Sequence, residues 1–329
     1  MTQGRRLAAV GLVAALVLPL GLFVGSVGLT PGEVLAVLTG GGTETQQDLV
    51  LQFRLPRLLL ASILGGGLAL AGATFQALLR NPLAEPYILG VSGGAAVGAV
   101  AALALGWATL ASWSLPLAAF AGALLAIVLV FRVATAAGRA LDVRVLLLAG
   151  VVVGAFFSAV ISFILAVSDA RTIRSAVLWM MGTTAGADWG SVAVAAAYTL
   201  PAALVLLALA RPLNALSVGE ETALYLGTEV ERVKRIAFAA ASLVTAAGVA
   251  VAGVIGFVGL VVPHGLRFVV GSDHRVLLPL SFLVGAAFLT AADTVARVLL
   301  SPTEIPIGVV TAFVGVPIFL ILLRRSTLG

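Results

Sequence analysis

The chain has 329 residues, of which 61% are hydrophobic and only 10% are charged, and its formal net charge is +5. A soluble domain carries about 25% charged residues, so this chain has too few charges to cover a surface that faces water. The composition excludes a soluble enzyme and predicts an all-α protein that crosses a membrane several times. The basic residues are scattered singly and form no patch for nucleic acid, and the absence of cysteine excludes disulfides and thiolate metal sites.

Ten apolar runs, each close to the ~20 residues that cross a hydrocarbon core, follow one another along the chain. They are 7–27, 58–78, 88–107, 115–136, 145–167, 191–210, 236–254, 256–270, 276–296 and 306–323. The first run exceeds the ~7–15-residue apolar core of a signal peptide, so we interpret it as a retained span. Spans seven and eight share one stretch, 236–270, and Gly253-Val-Ile-Gly256 is the turn predicted within it.

The basic residues predict the orientation of these spans, because cytoplasmic loops are enriched in Lys and Arg. With ten spans and a cytoplasmic N-terminus, 14 of the 19 basic residues are cytoplasmic and 5 are not, whereas nine spans give 11 and 8. The cytoplasmic set is Arg5, Arg6, Arg80, Arg132, Arg139, Arg144, Arg211, Arg232, Lys234, Arg235, Arg267, Arg275, Arg324 and Arg325. Ten spans with both termini in the cytoplasm are therefore predicted.

A predicted internal repeat supports the same number of spans. Glycine and proline landmarks recur at an offset of 181 residues, with five spans between the copies, and an odd number inverts the second copy. The pairs are Gly67 with Gly248, Gly72 with Gly253, Pro82 with Pro263, and Gly90 with Gly271. Chance matches in a chain rich in glycine and alanine are the alternative. The repeat halves are predicted at about 58–167 and 236–323 within one domain, 1–329.

Glycines four residues apart, such as Gly94 and Gly98, predict close helix packing.

The longest cytoplasmic connection, 211–235, is predicted to contain a short helix. Ser217 is a candidate N-cap, Glu220 and Glu221 suit a first turn, and Gly227 suits a C-terminal stop. Leu224 places apolar bulk on this helix. The helix either lies on the membrane or docks a soluble partner.

Lys234 is the only lysine, and it follows Val233. A phosphate-binding G-x-x-x-x-G-K-[ST] loop needs its lysine after a glycine, so the chain has no such loop for ATP hydrolysis. Active transport would therefore need a separate energy-coupling subunit.

Three arginines oppose the charge trend on the outer side. Arg54 and Arg57 flank a Leu-Pro pair before span two, and Arg297 lies four residues after Asp293, within reach of an ion pair. Guanidinium groups suit bidentate carboxylate pairing. These arginines either anchor lipid headgroups or receive acidic residues of an outer partner. His264 is interpreted as structural, and no cluster with metal-ligand spacing is present, so no metal or cofactor is predicted.

Several motifs form a set that resembles the FecCD/BtuC-type permeases, the membrane subunits of type II ATP-binding-cassette importers. They are Arg54-Leu-Pro-Arg57, Gln76-Ala-Leu-Leu-Arg-Asn-Pro-Leu-Ala-Glu-Pro86, Leu89-Gly-Val-Ser-Gly-Gly94, Leu146-Leu-Leu-Ala-Gly150, Trp179-Met-Met-Gly182, Gly256-Phe-Val-Gly-Leu-Val-Val-Pro-His264, Asp273-His-Arg-Val-Leu-Leu-Pro279, Asp293-Thr-Val-Ala-Arg297 and Pro306-Ile-Gly-Val-Val-Thr311. The motifs run in order from about residue 50 to 325.

The resemblance implies a homodimer in the cytoplasmic membrane of a bacterium, with two ATP-hydrolysing subunits inside and a substrate-binding protein outside. Three sets of residues acquire roles from it. They are binding-protein docking for Arg54, Arg57 and Arg297, the ATPase coupling helix for Ser217, Gly219, Glu220, Glu221, Leu224 and Gly227, and an inner constriction for Asn81, Leu83, Asp142 and Val143. In the loop around Asp142 and Val143 this chain departs from those relatives that have small hydroxyl residues there.

The function predicted is import of a metal chelate by alternating access, with ferric siderophore first and cobalamin and haem next. The permease itself performs no bond chemistry. The alternative is an ion- or proton-coupled secondary transporter, which would need buried ionisable residues in mid-span. Asp293 is its best candidate, and Arg297 is predicted to lie beside it.

Overall fold

The computed structural model describes residues 3–25, 27–136 and 141–327, so Arg139 of the predicted cytoplasmic set lies outside the described residues. The described residues form fifteen α-helices and no strand. In chain order these are α1 (Gln3–Phe23), α2 (Pro31–Leu38), α3 (Glu44–Gln47), α4 (Leu55–Leu78), α5 (Val91–Ala104), α6 (Ser114–Thr135), α7 (Val143–Ala166), α8 (Ala170–Met180), α9 (Trp189–Ala208), α10 (Ala210–Val218), α11 (Glu220–Tyr225), α12 (Val230–Ala252), α13 (Val258–Val270), α14 (His274–Val298) and α15 (Ile307–Thr327). A π-helical segment, Asp48–Arg54, joins α3 to α4, and 3₁₀ turns cover Pro86–Leu89 and Trp107–Thr109.

All ten predicted spans are helices in the structure, which confirms the all-α membrane fold. Within the described residues, six helical segments are long and apolar enough to cross a membrane by length and composition, and they contain α4, α6, α7, α9, α12 and α14. Four shorter apolar helices, α1, α5, α13 and α15, complete the set. The sequence analysis did not predict α2, α3, α8 and α10. A local signal for α8 was present, because Asp169 caps this helix by accepting from Thr172 N at 2.8 Å.

The second span begins earlier than predicted, because one continuous helical segment runs from Glu44 to Leu78. Its π turn lies directly before Pro56, where the Leu55 amide donates to the Val50 carbonyl five residues back. Proline has no amide hydrogen, and a widened turn beside it changes the register of the helical hydrogen bonds.

The break between spans seven and eight lies at the predicted turn. α12 ends at Ala252, and Gly253 has φ +71°, a conformation that favours glycine. A Cβ atom at Gly253 would lie 2.2 Å from the Trp179 carbonyl oxygen. The Ala252 carbonyl accepts a hydrogen bond from Thr183 N at 2.8 Å, so the chain after α8 packs against the broken helix.

Close contacts of small residues hold the bundle together, as predicted for Gly94 and Gly98. A Cβ at Gly94 would lie 2.3 Å from the Gly122 carbonyl oxygen, and one at Gly98 would lie 2.1 Å from that of Ala118. Backbones can approach this closely only where a side chain is absent. The same kind of contact joins α4 to α14 at Gly65, where the nearest atom would be a carbonyl oxygen at 2.2 Å.

The helices α4 and α12 run antiparallel, since Gly67 lies beside Val244 and Gly248 beside Leu64. Opposite directions are what an inverted repeat requires. The offset of 181 residues does not align helix ends, however. Gly72 lies inside α4, whereas Gly253 follows the last residue of α12.

The helices differ in how much of their surface other helices cover. The most apolar window of α4 is 78% buried and that of α12 is 72% buried, whereas the values for α6 and α7 are 28% and 22%. Apolar faces that no helix covers are suited to lipid. The centre of the bundle is therefore built on α4 and α12, with α6 and α7 at its edge.

Candidate functional site

Polar side chains gather at two opposite ends of the bundle. We call one the arginine end, which carries Arg54, Arg57 and Arg297, and the other the lysine end, which carries Lys234. The full length of α4 separates them, because α4 begins beside Arg57, and Leu79, which follows α4, lines a cavity with Lys234.

At the arginine end, Arg57 holds two carboxylates at once. Its Nε lies 3.0 and 3.1 Å from the Asp293 carboxylate oxygens, and its Nη1 and Nη2 each lie 2.9 Å from a Glu304 oxygen. Asp293 also accepts from Thr184 and forms an ion pair with Arg297 at 3.1 Å. The predicted Asp293–Arg297 pair is confirmed. Glu304 was missed, because 247 residues separate it from Arg57 and no local pattern joins them.

Arg54 and Arg297 bind the backbone at the end of α1. Arg54 donates to the carbonyls of Leu22, at 2.8 Å, and Val27, and Arg297 donates to Gly21 at 3.1 Å. Each of these arginine residues is only 6% exposed. Both are thus buried and hydrogen-bonded within the chain, while the Arg57 side chain is 11% exposed and that of Glu304 is 35% exposed.

A cavity of about 230 Å³ opens among the three arginines, and Glu304 also lines it. Three guanidinium groups and the two carboxylates of Asp293 and Glu304 leave the cluster with a formal charge of +1. The cavity is therefore a small, positively charged recess that suits an acidic side chain.

At the lysine end, the predicted short helix divides into α10 and α11. Ser217 is not the N-cap, because it lies in the last turn of α10 and donates to the Leu213 carbonyl at 2.8 Å. Gly219 precedes α11 instead, with φ +152°. A local serine signal could not reveal that another helix ends at this point.

The C-terminal stop at Gly227 is confirmed. Gly227 has φ +78° and donates to the Leu224 carbonyl at 2.9 Å, and Thr228 donates to that of Ala223 at 2.9 Å. This pair of bonds is the Schellman arrangement, which ends a helix on a left-handed residue.

The tip of α11 presents large apolar side chains to its surroundings. Leu224 is 59% exposed, Tyr225 91% and Leu226 70%, and Val218 at the end of α10 is 74% exposed. We call these four residues the apolar tip. An apolar surface beside polar residues is typical of a protein interface.

Beneath the apolar tip, Lys234 is buried among acceptors. Its Nζ lies 3.1 Å from Glu220, 2.7 Å from Glu231 and 2.7 Å from the Leu141 carbonyl oxygen. The sequence analysis used this lysine only to exclude a phosphate-binding loop, and its partners come from three separate segments.

Asn214 connects α10 to the start of α14. Its amide nitrogen donates to Asp273 at 2.8 Å, and its oxygen accepts from the His274 amide at 2.8 Å. The Arg275 guanidinium and the Asn214 amide hold the pKa of the Asp273 carboxyl well below its usual value. The segment carrying α10 and α11 is therefore fastened to the bundle at a second place.

The predicted constriction residues lie in two separate turns. Asn81 accepts from the Leu83 amide at 2.9 Å, and Leu83 is exposed. Asp142 caps α7 by accepting from Arg144 N at 2.7 Å, with Val143 beside it. These two hydrogen bonds each join residues two positions apart, so they stabilise each turn locally.

The turn after α4 is also joined, through Glu85, to the segment between α12 and α13. This half-buried carboxylate accepts from the Phe257 amide at 2.7 Å, at a residue with φ +68°. Burial raises the pKa of Glu85, and the hydrogen bond from Phe257 opposes that shift.

His264 is buried against the rings of Phe268 and Phe319. Among the described residues, no three His, Asp or Glu side chains gather as a metal site.

Residues 12–325 match the FecCD transport family. The chain belongs to that family. One relative is the cobalamin import system permease protein BtuC of Halobacterium salinarum, to which this chain is 51% identical over 289 residues. The match covers 88% of this chain and 77% of the relative. The chain is 41% identical to the vitamin B12 import system permease protein BtuC of Escherichia coli over 98% of its own length and 95% of the relative.

The fold of this FecCD family member is similar to that of a solved structure. That chain was captured in an inward-facing conformation and is assigned to the metal-chelate type of ABC transporter. The TM-score is 0.88 with 32% identity, and the match covers 98% of this chain and 99% of the other.

Proposed function

We propose that the protein is the permease subunit of an ATP-driven importer that moves cobalamin across a cytoplasmic membrane. The observation that carries this proposal is the pair of opposite ends, an exposed apolar tip on one and a positively charged recess on the other. The sequence analysis placed ferric siderophore first, but two relatives named for cobalamin or vitamin B12, at 51% and 41% identity, favour cobalamin.

We place the lysine end and both termini in the cytoplasm and the arginine end outside. The distribution of basic residues supports this orientation, since 14 of 19 then lie on the cytoplasmic side.

The proposed seat of the ATPase is α11 with the apolar tip. Tyr225 is 91% exposed and Leu226 is 70% exposed, and covering them with a partner would remove apolar surface from water. The Schellman arrangement at Gly227 fixes the end of α11, so the partner would bind a short helix of defined geometry. Two ATPase subunits would then serve two copies of the permease.

The proposed contact with a substrate-binding protein is the recess at the arginine end. Glu304, whose side chain is partly exposed, accepts from both Nη atoms of the Arg57 guanidinium. An acidic residue of the partner would compete with Glu304 for Arg57, while Arg54 and Arg297 supply buried positive charge.

If Glu304 competes for Arg57, substitutions at these two residues should change the affinity for the binding protein. Glu304→Gln removes the internal competitor, so affinity for the binding protein should rise by a few fold, and Arg57→Glu should lower it while assembly with the ATPase is unchanged. Binding is measured on the purified permease complex by surface plasmon resonance, with the exposed Arg174→Glu as control. Unchanged affinity in both variants would remove the docking role.

The proposed pathway lies between two copies of the chain. A groove of about 630 Å³ runs beside the break between α12 and α13 and is lined by Met181, Phe257 and Phe313, among others. Phe313 on α15 is 77% exposed. A second copy against this face would enclose a pathway, and the turns at 81–83 and 142–143 would narrow it at the cytoplasmic side. Closure of the ATPases on α11 would then drive alternating access.

The secondary-transport alternative has little support in the structure. Asp293 is its best candidate for an ion-coupling residue, but Arg57, Arg297 and Thr184 already satisfy this carboxylate. An ion-coupling carboxylate must be free to bind and release its ion during transport, and the oxygens of Asp293 are already engaged by side chains of the same chain.

The test is reconstitution into liposomes with the ATPase and binding-protein partners and radiolabelled cobalamin. We expect accumulation that needs all three components and ATP. Accumulation driven by a proton or sodium gradient without the ATPase would refute the proposal. Accumulation of a ferric siderophore in place of cobalamin would refute the substrate alone.

A further inference from the structure

Lys234 occupies an unusual position for a lysine, because it is 2% exposed at the start of α12. An ammonium group has three hydrogens to donate, and here each has an acceptor. Two acceptors are carboxylates, Glu220 and Glu231, and the third is the Leu141 carbonyl oxygen. The lysine therefore joins α11, α12 and the residue that leads into α7.

The backbone of Leu141 is held on both of its polar groups. Its carbonyl accepts from Lys234 at 2.7 Å, and its amide donates to Glu231 at 2.8 Å. Asp142 follows directly and caps α7. The first turn of α7, with the proposed constriction residue Val143, is thus fastened to the same point as α11.

Glu220 makes the connection to the other side of this cluster. It is the first residue of α11, the helix that carries the apolar tip. A displacement of α11 would move the Glu220 carboxylate, and the ion pair would pass that displacement to Lys234 and Leu141. A cavity of about 630 Å³, lined by Leu79, Val143 and Glu220 among others, leaves room for such movement.

Stability alone does not account for this lysine. Burying an ammonium group carries a large desolvation penalty, and replacing a buried ion pair with apolar residues of similar volume is often neutral or stabilising. A methionine would fill much of the same space without a charge. A charged group retained at such a site is better suited to fixing a geometry than to adding stability.

We infer that Lys234 is a positioning residue that transmits movement of α11 to the start of α7, and so couples the proposed ATPase seat to the proposed inner constriction. This inference rests on the proposed function.

The experiment compares Lys234→Met with the unsubstituted chain in the reconstituted complex with its ATPase and binding protein. ATP hydrolysis and cobalamin accumulation are measured together. We expect assembly and hydrolysis to persist, while cobalamin accumulated per ATP falls about tenfold, as expected for loss of coupling between two sites. Glu220→Gln should act in the same direction, because it weakens the α11 arm and leaves both Leu141 hydrogen bonds in place, and it serves if Lys234→Met fails to fold.

The matched control is Arg232→Met. Arg232 lies on the same helix, but it pairs at 3.2 Å with its neighbour Glu229, and both side chains are at least 70% exposed. This substitution should leave accumulation per ATP unchanged. A loss equal to that of Lys234→Met would overturn the inference, because any cation on α12 would then have the same effect.

A second readout follows the movement directly. The chain has no cysteine, so Thr222→Cys on α11 and Arg144→Cys on α7 can carry two spin labels without background. With Lys234 present, the distance between the labels should stay constant when ATP is added, and in Lys234→Met it should shift or broaden. An unchanged distance and unchanged accumulation per ATP in Lys234→Met would overturn the inference. Absence of ATP-driven accumulation by the unsubstituted complex would instead overturn the proposed function.

Discussion

The arginine end allows a quantitative test of which ion pair stabilises the fold. Arg57 contacts Asp293, whose side chain is 2% exposed, and Glu304, whose side chain is 35% exposed. The two pairs have almost the same length, at 3.0 and 2.9 Å, so their geometry alone predicts equal strength. Their different exposure to water predicts unequal strength.

We expect the Arg57–Asp293 coupling energy to be about 2–3 kcal/mol, somewhat below the ~3–5 kcal/mol cost of breaking a buried pair, because Arg297 still neutralises Asp293. The Arg57–Glu304 coupling should be at most about 1 kcal/mol, because water can replace Arg57 around the exposed carboxylate.

The assay is a pair of double-mutant cycles on the free energy of unfolding in mixed micelles titrated with sodium dodecyl sulfate. One cycle uses Arg57→Met and Asp293→Asn, and the other uses Arg57→Met and Glu304→Gln. The exposed Arg232–Glu229 pair is the control and should give a coupling of about 0–0.5 kcal/mol. Equal couplings for Asp293 and Glu304 would refute the reasoning from burial.

Two further predictions concern packing and assembly. Gly72→Ala should abolish the folded protein, because the new Cβ would lie 1.9 Å from the Gly259 carbonyl oxygen. Gly154→Ala is the control and should fold normally, because its Cβ would have no atom within 4 Å. Size-exclusion profiles in detergent distinguish the two variants, and a monodisperse Gly72→Ala would contradict the packing. Leu224→Asp should weaken co-purification with the ATPase by at least about tenfold, because it places a charge in the apolar tip. Leu110→Asp is the control, because Leu110 is also an exposed leucine, at 76%, and lies outside the apolar tip. Unchanged co-purification of Leu224→Asp would exclude α11 as the seat.

Local patterns in the sequence were enough to predict several features of the lysine end and of the bundle. Gly227 follows the end of α11 and Gly253 directly follows α12. Both have a positive φ, a backbone conformation that favours glycine wherever it occurs. Ser217 was misassigned for the converse reason, since a serine near acidic residues has the same local pattern whether it begins one helix or ends another. Local rules extend over about one helical turn, so they could not distinguish these two cases.

Sequence patterns were sufficient to predict the ten spans and the close glycine contacts, because span length follows from bilayer thickness and close packing follows from residue size. They also placed Arg297 beside Asp293, one helical turn away. The contacts of Arg57 with Glu304 and of Lys234 with Leu141 became visible only in the folded chain, because 247 and 93 residues of sequence separate the partners. Such contacts depend on how helices pack against one another, and that packing is set by the whole bundle.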